Sequence, residues 1–231
     1  MPYRSDLLQQ VKFVALNTAV VVVAKAHNPS ILHDSFLSAQ GIVPAGWELA
    51  APSLSTPAIS IVKYANGVVF TAEPTKVMVR DDIPKKTPVV QDLALKYLEA
   101  LPHVHYSAVG INFAGFVECA SPEEWVRDRF LKRGPGNDDK LKPNAVGLRF
   151  AYSVERGMLN LSCDVGTVHR ADEAKETPCL LIGGNYHIPV SETSLEEARI
   201  AISSFSERLV HFTQITDSVF GLESQSHADP Q

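Results

Sequence analysis

Apolar and polar residues alternate along most of this chain, in stretches of strand period separated by stretches of helix period. One phrase occurs twice: Ala108-Val-Gly-Ile-Asn-Phe-Ala114 returns as Ala145-Val-Gly-Leu-Arg-Phe-Ala151, identical at five of seven positions. In the first copy Val109, Ile111 and Phe113 share one face of a two-residue period, and in the second Val146, Leu148 and Phe150 do. Each copy therefore predicts a half-buried β-strand. The echo suggests two related halves.

The same reading places the other elements. A first strand runs from about Lys12 to Lys25 around Val20 to Val23, and Asn28-Pro29 opens helix one, Asn as cap and Pro in the first turn. Gly41 stops that helix, and a Pro-, Ser- and Ala-rich connection from Ile42 to Pro57 crosses the surface. Ile59 to Tyr64 and Val68 to Val79 flank Asn66-Gly67, a hairpin signal because both residues tolerate positive φ. Thr87-Pro88 opens helix two, whose stripe is Val90, Leu93, Tyr97 and Leu98. Ser121 to Glu124 reads as a capping box before helix three, which ends near Gly134. Residues 134–144, rich in Gly, Pro and charge, form a proteolysis-prone loop.

The second copy opens a long hairpin. Val146, Leu148, Phe150, Tyr152 and Val154 alternate up one arm, and Leu159, Leu161, Cys163 and Val165 down the other, around Arg156-Gly157. Only an even loop keeps both apolar sets on one face. The expected register puts Phe150 opposite Cys163 and Arg149 opposite Asp164. Cys179 to Val190 is a further strand, with a bulge expected at Gly183-Gly184. Ser194 and Glu197 cap each other before a last helix whose stripe is Ala198, Ile202, Phe205, Leu209 and Phe212. This stripe has two readings, a cover for the sheet, which a one-sided sheet needs, or a dimerising seam, and both hold if Ile200, Val210 and Ile215 form a second apolar face.

The first half thus runs β-α-β-β-α-β, the ferredoxin-like order, and the second approximates it. The expected fold is α+β, a mainly antiparallel sheet with helices on one side, built as two quasi-repeated ferredoxin-like halves. A single globular domain spans about 1–222, the halves about 11–118 and 121–222, and 223–231 is a flexible tail.

Composition narrows the function classes. The chain has 231 residues, 45% hydrophobic and 20% charged, within the ordinary globular range. Its net charge of −5 without a basic block argues against a nucleic-acid partner. Cys119, Cys163 and Cys179, odd in number and widely spaced, predict reduced core thiols, with no disulfide framework and no zinc site. The apolar run at 13–26 imitates an export signal, but Asp6 precedes it, Asn17 and Thr18 interrupt it, and about 20 apolar residues are needed to span a bilayer. A cytoplasmic protein without a membrane partner is expected.

Catalytic motifs are sparse. His103-Val-His105 would put two imidazoles on one strand face, a weak metal pair, but Val109 and Gly110 stand where a cupin-like carboxylate would be. No Gly-x-Ser-x-Gly elbow, phosphate loop or dinucleotide fingerprint occurs. Asp81-Asp82 and Asp138-Asp139 read as solvated turn residues, and no cofactor is expected. Arg149 with Asp164 has two readings: an exposed cross-strand ion pair, or, joined by Asn112 of the quasi-equivalent strand, the floor of an anion pocket.

The segment Val109-Gly110-Ile111-Asn112-Phe113, the β region after it, and the terminal Phe212-Thr213-Gln-Ile-Thr216-Asp217 together resemble a sporadically distributed family of uncharacterised bacterial proteins. Members carry a Gly-Leu-Arg-Tyr-like strand; here Asn112 stands at the Arg place of the first copy and Arg149 at that of the second. The resemblance covers residues 59–220 and implies a fold and a bacterial origin, with no catalytic residue. The leading expectation is a non-enzymatic cytosolic protein that acts through protein-protein interaction, including self-association. The alternative is a small-molecule or anion-binding protein, or an enzyme, with its site between the halves.

Overall fold

A computed structural model describes residues 13–83, 88–131, 146–169, 176–191 and 194–221. Among the described residues nine strands form one antiparallel sheet: β1 (Phe13–Ala24), β2 (Leu54–Ser55), β3 (Ser60–Lys63), β4 (Val68–Glu73), β5 (Lys76–Asp81), β6 (Tyr106–Glu118), β7 (Gly147–Val154), β8 (Gly157–Val168) and β9 (Thr177–Pro189). The helices are α1 (Asp34–Ala39), α2 (Val90–Ala100), α3 (Pro122–Phe130), α4 (Leu195–Ser203) and α5 (Phe205–Phe220). Across the sheet the order is β2-β3-β4-β5-β1-β6-β9-β8-β7. The α+β class and the large antiparallel sheet agree with the sequence pattern.

The connectivity departs from the ferredoxin-like order by two strands, β2 and one made by a split. Val68 to Val79 reads as one strand in sequence, but the chain turns at Pro74-Thr75 and makes two, paired as Glu73 with Lys76. A proline has no N–H for a sheet ladder, so the run breaks there. Each side of the central β1-β6 pair then holds a three-strand meander, β5-β4-β3 on one and β9-β8-β7 on the other. The repeated phrase does not mark equivalent places, because its copies lie on β6 and β7, which β9 and β8 separate. β2 adds a short edge inside the connection expected to be irregular.

Strand alternation sends Val20, Val22, Phe70, Val77, Val109, Ile111, Leu161 and Tyr186 to one face, where they join Leu37, Leu93, Tyr97, Val126, Ala198, Phe205 and Phe212 of the helices in one core. Phe113 is a hub of this core, its ring 5.2 Å from Phe205 and 5.3 Å from Phe212. Among the described residues no helix packs on the opposite face, and none is long and apolar enough to cross a membrane.

Local signals were met unevenly. Asn28 accepts from the Ser30 N–H, but it caps a single 3-10 turn, and His33 Nδ1 caps α1 by accepting from the Phe36 N–H. The β3-β4 hairpin forms through Ala65-Asn66-Gly67. Ser121 sits at the start of α3 without a side-chain cap bond, so the capping box is not made. Thr87, Gly134, the loop 134–144, Asp138-Asp139 and the tail 223–231 lie outside the described residues. Asp81 is a buried strand end whose carboxylate accepts from the Ile83 N–H, while Asp82 pairs with Arg80.

The last helix breaks at Ser204, whose hydroxyl donates to the Ala201 carbonyl. Its buried line continues through Phe205, Arg208, Phe212, Thr216 and Phe220, leaving Leu209 half-buried beside it. Arg208 is held there by donating to the Glu155 carbonyl at 2.7 Å and by lying 5.5 Å from the centre of the Tyr186 ring. Of the expected second face, Ile200 and Val210 are exposed, but Ile215 packs against the core.

His27 is buried between Tyr97 and Tyr106, with ring centres 6.3 and 6.1 Å away. Burial pushes its pKa below the usual 6.5, against an opposing backbone contact at Val22. Unfolded chains therefore take up this proton first as the pH falls, so stability declines below about pH 6.5 and levels off once the folded-state pKa is passed. Urea midpoints between neutral and mildly acidic pH test this: the decline should be shallower in His27→Leu, and an identical slope would rule His27 out as the source.

Candidate functional site

The face of β6, β9, β8 and β7 turned away from the core holds an open groove of about 470 Å³. Its lining follows from strand alternation, because residues two apart on each strand share this face. Register aligns Asn160 of β8 with Asn185 of β9, and Asn185 with Asn112 of β6, so three asparagines stand in a row across three neighbouring strands. The Asn185 amide donates to Asn112 Oδ1. One row along, Arg149 stands opposite Ser162, Ser162 opposite Gly183 and Gly183 opposite Ala114. Ser162 Oγ donates to the Gly183 carbonyl at 3.3 Å.

Arg149 and Asp164 do meet, but diagonally. The expected register is corrected by two residues: Arg149 faces Ser162, Phe150 faces Leu161, and Asp164 faces Gly147. The cause is the turn. It consists of Glu155-Arg156 alone, with Arg156 at φ 62, so Gly157 is drawn into β8. There its missing side chain is needed, because a Cβ would lie 2.2 Å from the His187 carbonyl oxygen of β9. Parity survives, since both loops are even, and the Arg149 Nη1 reaches Asp164 Oδ1 at 2.9 Å on the shared face. Nη1 also donates to the Leu148 carbonyl.

Asn112 lies in the groove, but on the strand three places across the sheet from that of Arg149. It reaches the site through Asn185, and β6 and β7 are not equivalent strands. The sequence reading missed Asn160, Ser162 and Asn185. For the first two the signal was present in the hairpin's polar alternation, Asn160, Ser162, Asp164. Nothing in the sequence aligned Asn185 with them, because β9 pairs across a long connection.

No known protein-family model and no curated protein matches this chain. The site must be read from its own chemistry. Three amides, one hydroxyl and one guanidinium present donors and acceptors over a floor of Gly183, Ala114 and Ala151 that admits close approach. The Arg149 charge is already opposed by a carboxylate.

The weak metal pair is not on a strand. His103 and His105 are exposed in the turn ahead of β6, which begins at Tyr106. His169 pairs with Glu176, and His211 bonds the Tyr186 hydroxyl at 2.7 Å. Among the described residues no three metal-binding side chains converge. The expected bulge at Gly183-Gly184 is also absent, for β9 keeps unbroken register with both neighbours. A Cβ at Gly184 would meet the Phe212 ring at 2.6 Å, so this glycine makes room for α5. All three cysteines are free thiols. Burial raises the pKa of each, that of Cys163 to about 12 with Asp164 adding to the effect, which leaves them poor nucleophiles.

Proposed function

We propose that the protein acts by binding, without catalysis, and that the groove over β6, β9, β8 and β7 takes a polar segment of a partner protein. The row Asn112-Asn185-Asn160 carries this reading, because side-chain amides pair with peptide groups and with polar side chains in either donor or acceptor sense. The groove is open along the sheet, which suits a chain segment better than the enclosed clefts that hold small molecules. Neutralisation of Arg149 by Asp164 weighs against a free anion as the ligand. The groove lies on one face of the sheet and is lined by β6, from the first expected half, together with β7, β8 and β9 of the second.

The matching meanders beside β1 and β6 support a duplicated unit. The resemblance to a bacterial family and a cytoplasmic location stay part of the same proposal, and neither supplies an activity. The test uses Arg149→Met and Asn160→Ala, both at exposed positions. Loss of an exposed ion pair costs about 0.2–1 kcal/mol, so both variants should fold normally. Hits from a peptide array that bind the wild type should bind the variants at least about tenfold more weakly, a loss of about 1.4 kcal/mol. Undiminished binding by both variants would place the recognition surface elsewhere.

A further inference from the structure

We propose that β7 pairs antiparallel with β7 of a second copy, about a twofold axis through Ala151, to join two sheets into one. This goes beyond the groove and stands on separate observations. β7 ends the sheet, and among the described residues no strand pairs with its outer side. Its eight residues contain no proline, no lysine and no bulge, the devices that keep such an edge from pairing. The opposite edge, β2, is only two residues long.

The strand is also self-complementary. On the core face Leu148, Phe150, Tyr152 and Val154 remain half-buried, although Phe150 already packs 6.0 Å from Phe130 and 6.3 Å from Tyr152. A twofold through Ala151 sets Phe150 against the second copy's Tyr152 and Leu148 against its Val154, so every apolar position is covered by another. On the open face Arg149 meets Ser153, with Glu155 of the other copy diagonal to it. Moving the axis one residue to Phe150 would instead place the two Arg149 side chains diagonal to one another. Charge therefore selects the Ala151 axis. Residues of one parity meet only their own parity in this pairing, so both grooves open on the same side of the joined sheet.

Sedimentation of the full chain from about 1 to about 100 µM should show a monomer-dimer equilibrium. Ala151→Lys sets two ammonium groups face to face at the axis and should weaken the dimer at least about tenfold, with an unchanged circular dichroism spectrum because position 151 is exposed. Ala151→Cys, held under mild oxidant, should form a covalent dimer that the wild type, with its own three cysteines, does not. A wild type that stays monomeric across the range overturns the proposal. So does a dimer that tolerates Ala151→Lys, or an Ala151→Cys variant that gives no cross-link beyond the wild type's.

Discussion

Replacing Phe212 with alanine should cost about 3–5 kcal/mol, the largest loss expected from a single side chain here. The ring is 2% exposed, stacks on Phe113 at 5.3 Å and meets Phe13 edge-on at 5.8 Å. It also occupies the space left by the missing side chain of Gly184. Removing it leaves a cavity between rigid strands and a helix that cannot collapse into it, so the transfer term and the cavity term add. Phe205, fully buried against the same Phe113, should behave alike. Leu209 should cost less, because it lies only half-buried beside the line of contact. Urea unfolding gives the comparison. A loss under about 1 kcal/mol for Phe212→Ala would mean that the last helix is an appendage to the sheet and not its cover.

Gly157→Ala should cost about 3 kcal/mol, the upper part of the range for overpacking. The new methyl would sit 2.2 Å from a backbone oxygen, that of His187, and 3.2 Å from the Ile188 Cα. A clashing side chain can rotate away, but a strand backbone moves only by disturbing its ladder on both sides. The β7-β8 hairpin should therefore lose register as well as stability. Arg156→Gly makes the useful contrast. It relieves a non-glycine residue at φ 62 and should stabilise by up to about 1 kcal/mol. Thermal midpoints of the two variants should move in opposite directions; a neutral Gly157→Ala would show that β8 does not press Gly157 against the His187 carbonyl of β9.

The hairpin shows where sequence reading succeeds and where it stops. Alternation alone placed Leu148, Phe150, Leu161 and Cys163 on one face and Arg149, Ser162 and Asp164 on the other, because side-chain direction in a strand is a property of parity. It did not decide which residues stand opposite. That depended on whether Gly157 served the turn or the contact with β9, and the contact involves His187, thirty residues on. The same holds for the candidate site. Arg149 with Asp164 was legible because two residues close in sequence share a hairpin, whereas the row of Asn112, Asn185 and Asn160 joins three strands across long connections.

What the chain determined by itself was local and periodic: the apolar faces of its strands and helices, the Asn66-Gly67 hairpin, the Ser194 cap, and hence an α+β protein with a large antiparallel sheet. Only tertiary structure decided the strand order, the split of Val68 to Val79 at Pro74, the burial of Arg208 among the phenylalanines of α5, and the gathering of amides on the open face. The first set follows from interactions within a few residues. The second follows from which distant segments bury each other best, and a single sequence does not write that choice into any one segment.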